Sequence, residues 1–389
     1  MMDRPQPRPM DAAVLLSILG LITLGLITLS RIGLPPSAGM DSQIVRQSIF
    51  ALVGIFLFAM VAYSDYRIVG IIAWVLFGVS VLLLILVLFF GVTRYGAQRW
   101  FLFGPIQFQP SELAKFTEIV LLARLFAKYQ GEPIKFRIFA LSALIPALLI
   151  ALTLLQPDFG TAMIFFVIWF GIAFIAGSRI LHLGAVVLLS IAAAPLAWFL
   201  MRPYMRERVV TFFDPTIDPL GAGYNVLQAR IAVGSGGLWG RGSTGATQSQ
   251  LEFLRVRDTD FIFAVIAEHL GFVGSILVLS LFSIIFAYAL VVAIRASDDF
   301  GRYLAGGILV LLAFEVFVSI GMNVGISPVT GITLPLMSSG GSSLVVTLIA
   351  LGTLVSISIH RGMPMFNPPT RVGLPARARR AAIGLRDRA

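Results

Sequence analysis

Long apolar runs recur along nearly the whole chain, at residues 12–30, 47–63, 68–91, 111–128, 138–155, 160–177, 180–200, 261–294, 303–324 and 338–360. A helix needs roughly 17 to 25 residues to cross about 30 Å of hydrocarbon, so each run is of spanning length. Inside hydrocarbon only helices and closed barrels satisfy every backbone hydrogen bond. With 58% hydrophobic and 12% charged residues, too little polar surface exists to cover these runs in water. The expectation is an all-α integral membrane protein of about ten transmembrane helices. No small-residue cleavage site follows the first run closely, so it reads as a retained helix behind a short arm, residues 1–11.

Lys and Arg gather in the cytoplasmic connections of membrane proteins. With the N-terminus inside, the inner connections hold 17 basic residues and the outer ones 11, seven of them in one long loop that the rule discounts. Both termini are therefore placed in the cytoplasm, with a polytopic membrane domain at 12–360 and a basic cytoplasmic tail at 361–389 held against anionic lipid headgroups. Residues 201–260, between the seventh and eighth helices, become one large extracytoplasmic loop without long helical periodicity. Loops of that length tend to be functional or disordered, and its Gly and aromatic content favours order. Orientation and lipid contact account for the net charge of +10, so nucleic acid is not expected as a partner. With no cysteine, disulfides and thiolate metal sites are excluded, and His182, His269 and His360 are too scattered for a zinc site.

Three motifs carry potential chemistry. In the outer loop Gly240, Gly242 and Gly245 match a phosphate-binding glycine pattern, but no βαβ unit surrounds them, so turns and close backbone approach explain them better. Asp258, Asp260 and Glu268 follow, and Asp260 stands where the loop becomes the helix beginning at Phe261. That position suits an N-cap, and a carboxylate at an exposed mouth also suits a general base; the two roles are compatible. The second motif runs from Gln109 through Pro110, Ser111, Glu112 and Leu113 to Lys115. Pro110 opens a helix and Glu112 complements its dipole, whereas Lys115 opposes it. At i, i+3 the two can form a salt bridge at the outer end of the fourth span, although ionisable groups at membrane depth mark functional sites by default. Glu118 lies one turn deeper. The third motif, residues 323–343, is too rich in Gly, Pro and Ser to be helical, and irregular backbone at membrane depth implies a cavity wall.

RYGAQRW at 94–100, QPSELAK at 109–115, QPDFGTA at 156–162, GSGGLWGRG at 234–242, TQSQLEFL at 247–254, TDFIFAVIAEHLGF at 259–272 and GISPVTGITLPLMSSGGSS at 325–343 together resemble the SEDS family (shape, elongation, division and sporulation). The likeness spans residues 12–362, and TQSQLEFL and AVIAEHLG lean toward its RodA-like branch. The resemblance implies a peptidoglycan glycosyltransferase of the bacterial cytoplasmic membrane that polymerises lipid II at the outer face. Asp260 would be the general base of an inverting transfer with undecaprenyl diphosphate as leaving group. Substrate contacts are then expected at Arg99, Gln109, Ser111, Glu112, Lys115, Gln248, Ser338 and Ser339. A diphosphate leaving group calls for positive charge from Lys115, the loop arginines or a divalent cation such as Mg2+ or Mn2+. The expected partner is a single-span class B penicillin-binding protein, a transpeptidase. Where the family usually reads Pro, Glu and His, this chain has Arg255, Val256 and Asp258, and His269 replaces a second Glu.

Two other readings stand beside this one. A lipid-substrate flippase would use the broken segment after Asn323 as a gate, but transporters often carry matching broken helices in two halves, and the sequence shows one such segment. A non-catalytic scaffold for a transpeptidase would make the loop acids dispensable.

Overall fold

The computed structural model describes residues 9–32, 42–94, 97–104, 106–129, 134–219, 221, 223–251, 253–254 and 256–362. The N-terminal arm before residue 9, Arg255 and nearly all of the basic tail lie outside the described residues. The chain is predominantly helical. The apolar runs return as α1 (Pro9–Arg31), α2 (Gln43–Tyr63), the broken pair α3 (Arg67–Ile71) and α4 (Ala73–Phe90), and, after a small sheet, α5 (Pro110–Ala127). The pair α6 (Phe136–Ser142) and α7 (Leu144–Leu155) follows, then α8 (Phe159–Ile175) and α9 (Ile180–Leu200). The outer loop holds α10 (Pro203–Phe213), α11 (Tyr224–Ser235), α12 (Gly242–Gly245) and α13 (Thr247–Gln250), before α14 (Ile262–Arg295), α15 (Asp299–Val324) and α16 (Gly341–Ile359) complete the bundle.

Among the described residues seven helices are long and apolar enough to cross a membrane, and this is a multi-pass membrane protein. α8 and α9 are also apolar, with qualifying stretches of 10 to 17 residues. α5 falls outside that group because it carries Glu112, Lys115, Glu118 and Arg124. It is nonetheless enclosed on almost every face, packed among α4, α8, α15 and α16. Three of these side chains, Glu112, Lys115 and Glu118, are buried inside the apolar bundle, where charge is costly and marks a candidate functional element.

Two features depart from the sequence reading. Residues 92–108 form a three-stranded antiparallel sheet, β1 (Val92–Arg94), β2 (Ala97–Phe103) and β3 (Ile106–Phe108), pairing Trp100 with Val92 and Phe101 with Phe108. The outer loop also contains two helices of 11 and 12 residues, α10 and α11. Strands of three to seven residues and helices of 11 and 12 leave too short a pattern to stand out from an apolar background.

α2 lies along α16, where small residues admit close approach. A Cβ on Gly54 would stand 2.5 Å from Leu348, and one on Gly352 would stand 2.7 Å from the Phe58 carbonyl. This pairing fixes the first turn of α2 against the irregular segment that precedes α16, and the candidate site is built there.

Candidate functional site

Asp260 is not a helix cap. Phe261 occupies the N-cap position of α14 without a side-chain bond, and the service is performed from α15. The Asn323 Oδ1 accepts from the Ala264 N–H at 2.9 Å, while its Nδ2 donates to the carbonyls of Asp260 at 2.9 Å and Ser319 at 2.7 Å. Asn323 is fully buried, so one amide closes the helix end and fixes the backbone of the acid before it. The carboxylate of Asp260 is thereby left to face a cleft of about 510 Å³. Opposite it is Gly331, at φ +81°. A Cβ there would stand 3.7 Å from the Asp260 Oδ2, and the left-handed backbone favours glycine in any case.

Neighbouring chain segments lock this arrangement. The Ser338 Oγ donates to the Thr259 carbonyl at 2.6 Å and accepts from the Leu334 N–H at 2.9 Å. Ser339 donates twice to Asp258, from its N–H to the carbonyl and from Oγ to Oδ2, both at 2.9 Å. Gln43, in the first turn of α2, also donates to the Asp258 carboxylate. Gln47 bridges the carbonyl of Ser338 and the N–H of Gly340. The loop before α14, the segment before α16 and the start of α2 thus form one hydrogen-bonded unit.

Lys115 lies on the cleft floor. Its Nζ is 2.9 Å from Glu112 and 2.5 Å from Glu315 of α15, and all three residues are buried. The expected Glu112–Lys115 pair is present, but it is neither a surface bridge nor a pair: one cation stands between two carboxylates. Glu118, a turn deeper, is fully buried with both carboxyl oxygens unpartnered, and it does not line the cleft.

Arg99 forms the wall on the side of β2. Its guanidinium bonds to the carbonyls of Gln156 and Pro157 and stands 3.3 Å from Asp158, which also caps α8 through the Thr161 N–H. Of the residues expected to touch substrate, Arg99, Gln109, Glu112, Lys115 and Ser339 line the cleft with Asp260. Ser111, Ser338 and Gln248 do not. The Ser111 Oγ is turned to the side chain of Gln109, and Ser338 is consumed by the backbone clamp. Gln248 belongs to α13, whose N–H groups at Gln248 and Ser249 are held by the Glu268 carboxylate. His269, beside it, places Nε2 3.0 Å from the Ser249 Oγ, so the departure there serves packing of the loop.

The sequence reading did not single out Gln43, Arg46, Asp158, Arg208 or Asn225, which also line the cleft. The one signal for Gln43 and Arg46 was their place before an apolar run, where two polar side chains at i, i+3 share a face.

Burial raises the pKa of the Asp260 carboxyl above its ordinary value. A hydrogen bond from Thr259 and the positive charge of Arg208 pull the other way, Asp258 adds to the rise and Arg99 subtracts from it. A carboxylate with a raised pKa in a solvent-connected cleft is suited to accepting a proton. Among the described residues no three Asp, Glu or His side chains cluster as ligands for a metal ion, so the residues present do not make a protein cage for a divalent cation.

A family model described as a cell cycle protein, covering FtsW, RodA and SpoVE, matches residues 12–362. The peptidoglycan glycosyltransferase MrdB of Escherichia coli K12 is 41% identical over 347 residues, spanning 88% of this chain and 93% of that protein. The peptidoglycan glycosyltransferase RodA of Treponema pallidum is 31% identical, covering 90% of this chain and 98% of that one. Among solved structures, a chain of a peptidoglycan synthase complex that coordinates polymerisation and crosslinking superposes with a TM-score of 0.77 at 33% identity, over 91% of this chain and 99% of its own. The rod shape determining protein RodA of Thermus thermophilus gives 0.69 at 31% identity, over 91% and 98%.

Proposed function

The chain belongs to the FtsW, RodA and SpoVE family of cell cycle proteins, and from that premise we propose that it is a peptidoglycan glycosyltransferase polymerising lipid II at the outer face of the bacterial cytoplasmic membrane. One observation carries the reading: a carboxylate relieved of capping by Asn323 and raised in pKa by burial looks into a cleft wide enough for sugars.

The step is an inverting transfer. Asp260 takes the proton from the acceptor sugar hydroxyl, whose oxygen forms a bond to the anomeric carbon of the lipid-linked donor. The bond from that carbon to the phosphate oxygen breaks, its electron pair leaves with undecaprenyl diphosphate, and the proton on Asp260 passes to water. Gln109 and Ser339 supply hydrogen-bonding groups to the headgroup, Arg99 holds the wall beside them through Asp158, and the polyprenyl tail stays in lipid. Glu112 and Lys115 form the polar floor, with Glu315 holding Lys115 from behind the cleft lining.

Ten helices cross the membrane in this reading, with residues 201–260 outside, both termini inside, and a class B penicillin-binding protein as partner. The tail beyond the described residues is assigned to the inner leaflet. A periplasm-active reporter fused after Gly223 is expected to be active and one fused after Ala389 inactive; the reverse would place the cleft on the wrong side. The decisive assay gives purified protein, with its transpeptidase partner, labelled lipid II and follows glycan polymer by gel. Transport of lipid II without polymer would support a flippase in its place.

A further inference from the structure

We propose that Arg208, on α10 of the outer loop, is the side chain that binds the diphosphate of the lipid-linked donor; this rests on the glycosyltransferase reading. Among the described residues four basic side chains line the cleft: Arg46, Arg99, Lys115 and Arg208. Lys115 is held between two carboxylates, so its charge is more than matched inside the protein. The guanidinium of Arg99 is spent on two carbonyls and on Asp158. Arg46 has an interaction of its own. Arg208 gives one N–H to the Val329 carbonyl at 3.2 Å and rests its charge 6.0 Å from the ring centre of Tyr204. The side chain is exposed and lines the cleft, and the bond to Val329 is the one hydrogen bond it makes among the described residues.

Its position fits the chemistry. The Val329 carbonyl that orients Arg208 is two residues from Gly331, which faces Asp260, and the positive charge of Arg208 is felt at the Asp260 carboxylate. A diphosphate held there would sit at the mouth of the cleft with its sugar directed toward the base. A guanidinium presents a planar fork that matches phosphate oxygens, which an ammonium does not. The same side chain would stabilise the negative charge that develops on the leaving group.

The test uses purified full-length protein with its transpeptidase partner in nanodiscs of phosphatidylcholine, with and without phosphatidylglycerol, comparing wild type, Arg208→Ala, Arg208→Lys and the control Arg202→Ala, which removes an exposed charge from the start of the same helix outside the cleft. Two quantities are read: the KM for lipid II and the dissociation constant for labelled undecaprenyl diphosphate. Arg208→Ala is expected to raise both by about 10- to 100-fold, the weight of a hydrogen bond between charged partners. Arg208→Lys should recover part of the loss, and Arg202→Ala should match wild type. Unchanged binding of undecaprenyl diphosphate in a folded Arg208→Ala protein would overturn the assignment. So would a loss confined to nanodiscs containing phosphatidylglycerol, which would make Arg208 a contact for bulk anionic lipid. If wild type binds undecaprenyl diphosphate yet makes no polymer, the glycosyltransferase reading falls while the binding comparison still decides Arg208.

Discussion

Asp260→Asn separates the chemistry of this residue from its structural setting with unusual clarity, because the setting belongs to a different residue. The N-terminus of α14 is capped by Asn323, and Asn323 holds the backbone carbonyl of residue 260 rather than its side chain. The substitution therefore leaves both contacts in place, keeps the shape and removes the ability to accept a proton. As a general base, Asp260 accounts for a rate factor of about 10² to 10⁴, so polymerisation should fall by that much. In barrier terms this is roughly 3 to 5 kcal/mol. Stability should move the other way. Burial raises the folded-state pKa of Asp260, so its ionised form opposes folding as pH rises through that value, and a neutral amide removes the opposition. The variant should melt no lower than wild type at neutral pH. The assay is a time course of glycan polymer from labelled lipid II, run beside a thermal melt of the same sample. Polymer at the wild-type rate would refute the assignment of the base, and a lower melting temperature with lost activity would return Asp260 to a structural role.

Asn323→Ala should lower stability by about 0.5 to 2 kcal/mol for the lost cap and reduce kcat more than it raises KM, since it loosens the base and not the substrate wall; a melt and a Michaelis series check it. Lys115→Met leaves Glu112 and Glu315 buried without their cation, so a loss of about 3 to 5 kcal/mol is expected, against the few tenths that an exposed i, i+3 pair would contribute. Adding Glu112→Gln and Glu315→Gln should restore folding, and the activity of that triple variant reads what the floor does for catalysis. The rate of wild type should rise with pH through the raised pKa of Asp260, with Arg208 and Arg99 restraining the rise and Asp258 adding to it. Asp258→Asn, which removes a like charge, should move that acidic limb to lower pH; a pH profile of kcat/KM with no shift would contradict the coupling.

The helices were legible in the sequence because their cause is local. Hydrocarbon imposes a length and a composition on each span, and α1, α2 and α14 to α16 begin and end within a few residues of the apolar runs. The resemblance of seven ordered motifs placed Asp260, Lys115 and Arg99, and these do share one cleft. What stayed hidden depends on contacts across long stretches of chain. A local rule assigned the N-cap to the nearest acid, whereas the cap comes from Asn323, 59 residues beyond Ala264. Lys115 was paired with the carboxylate three residues away, and its second partner, Glu315, is 200 residues distant. Gln248 was grouped with the site because its motif belongs to the resemblance, yet Glu268 draws α13 against α14 instead.

The irregular backbone before α16 explains how such a site can persist in a membrane protein. Unpaired backbone groups at that depth cost several kcal/mol each, and residues 325–340 give up helical hydrogen bonds over a long stretch. Other partners replace them: the Ser338 hydroxyl takes the Leu334 N–H, the Gln47 side chain takes the carbonyl of Ser338 and the N–H of Gly340, the Asp258 backbone carbonyl receives the N–H of Ser339, and the Arg208 side chain reaches the Val329 carbonyl. Each replacement comes from an element that also lines the cleft, apart from Ser338, which clamps Thr259 instead. The polar groups that make the segment stable are therefore the ones that shape the site. A change that released the Gln47 side chain would cost twice, once in orphaned backbone and once in the position of Gly331 opposite the base. That coupling ties the fold of the segment to the geometry around Asp260.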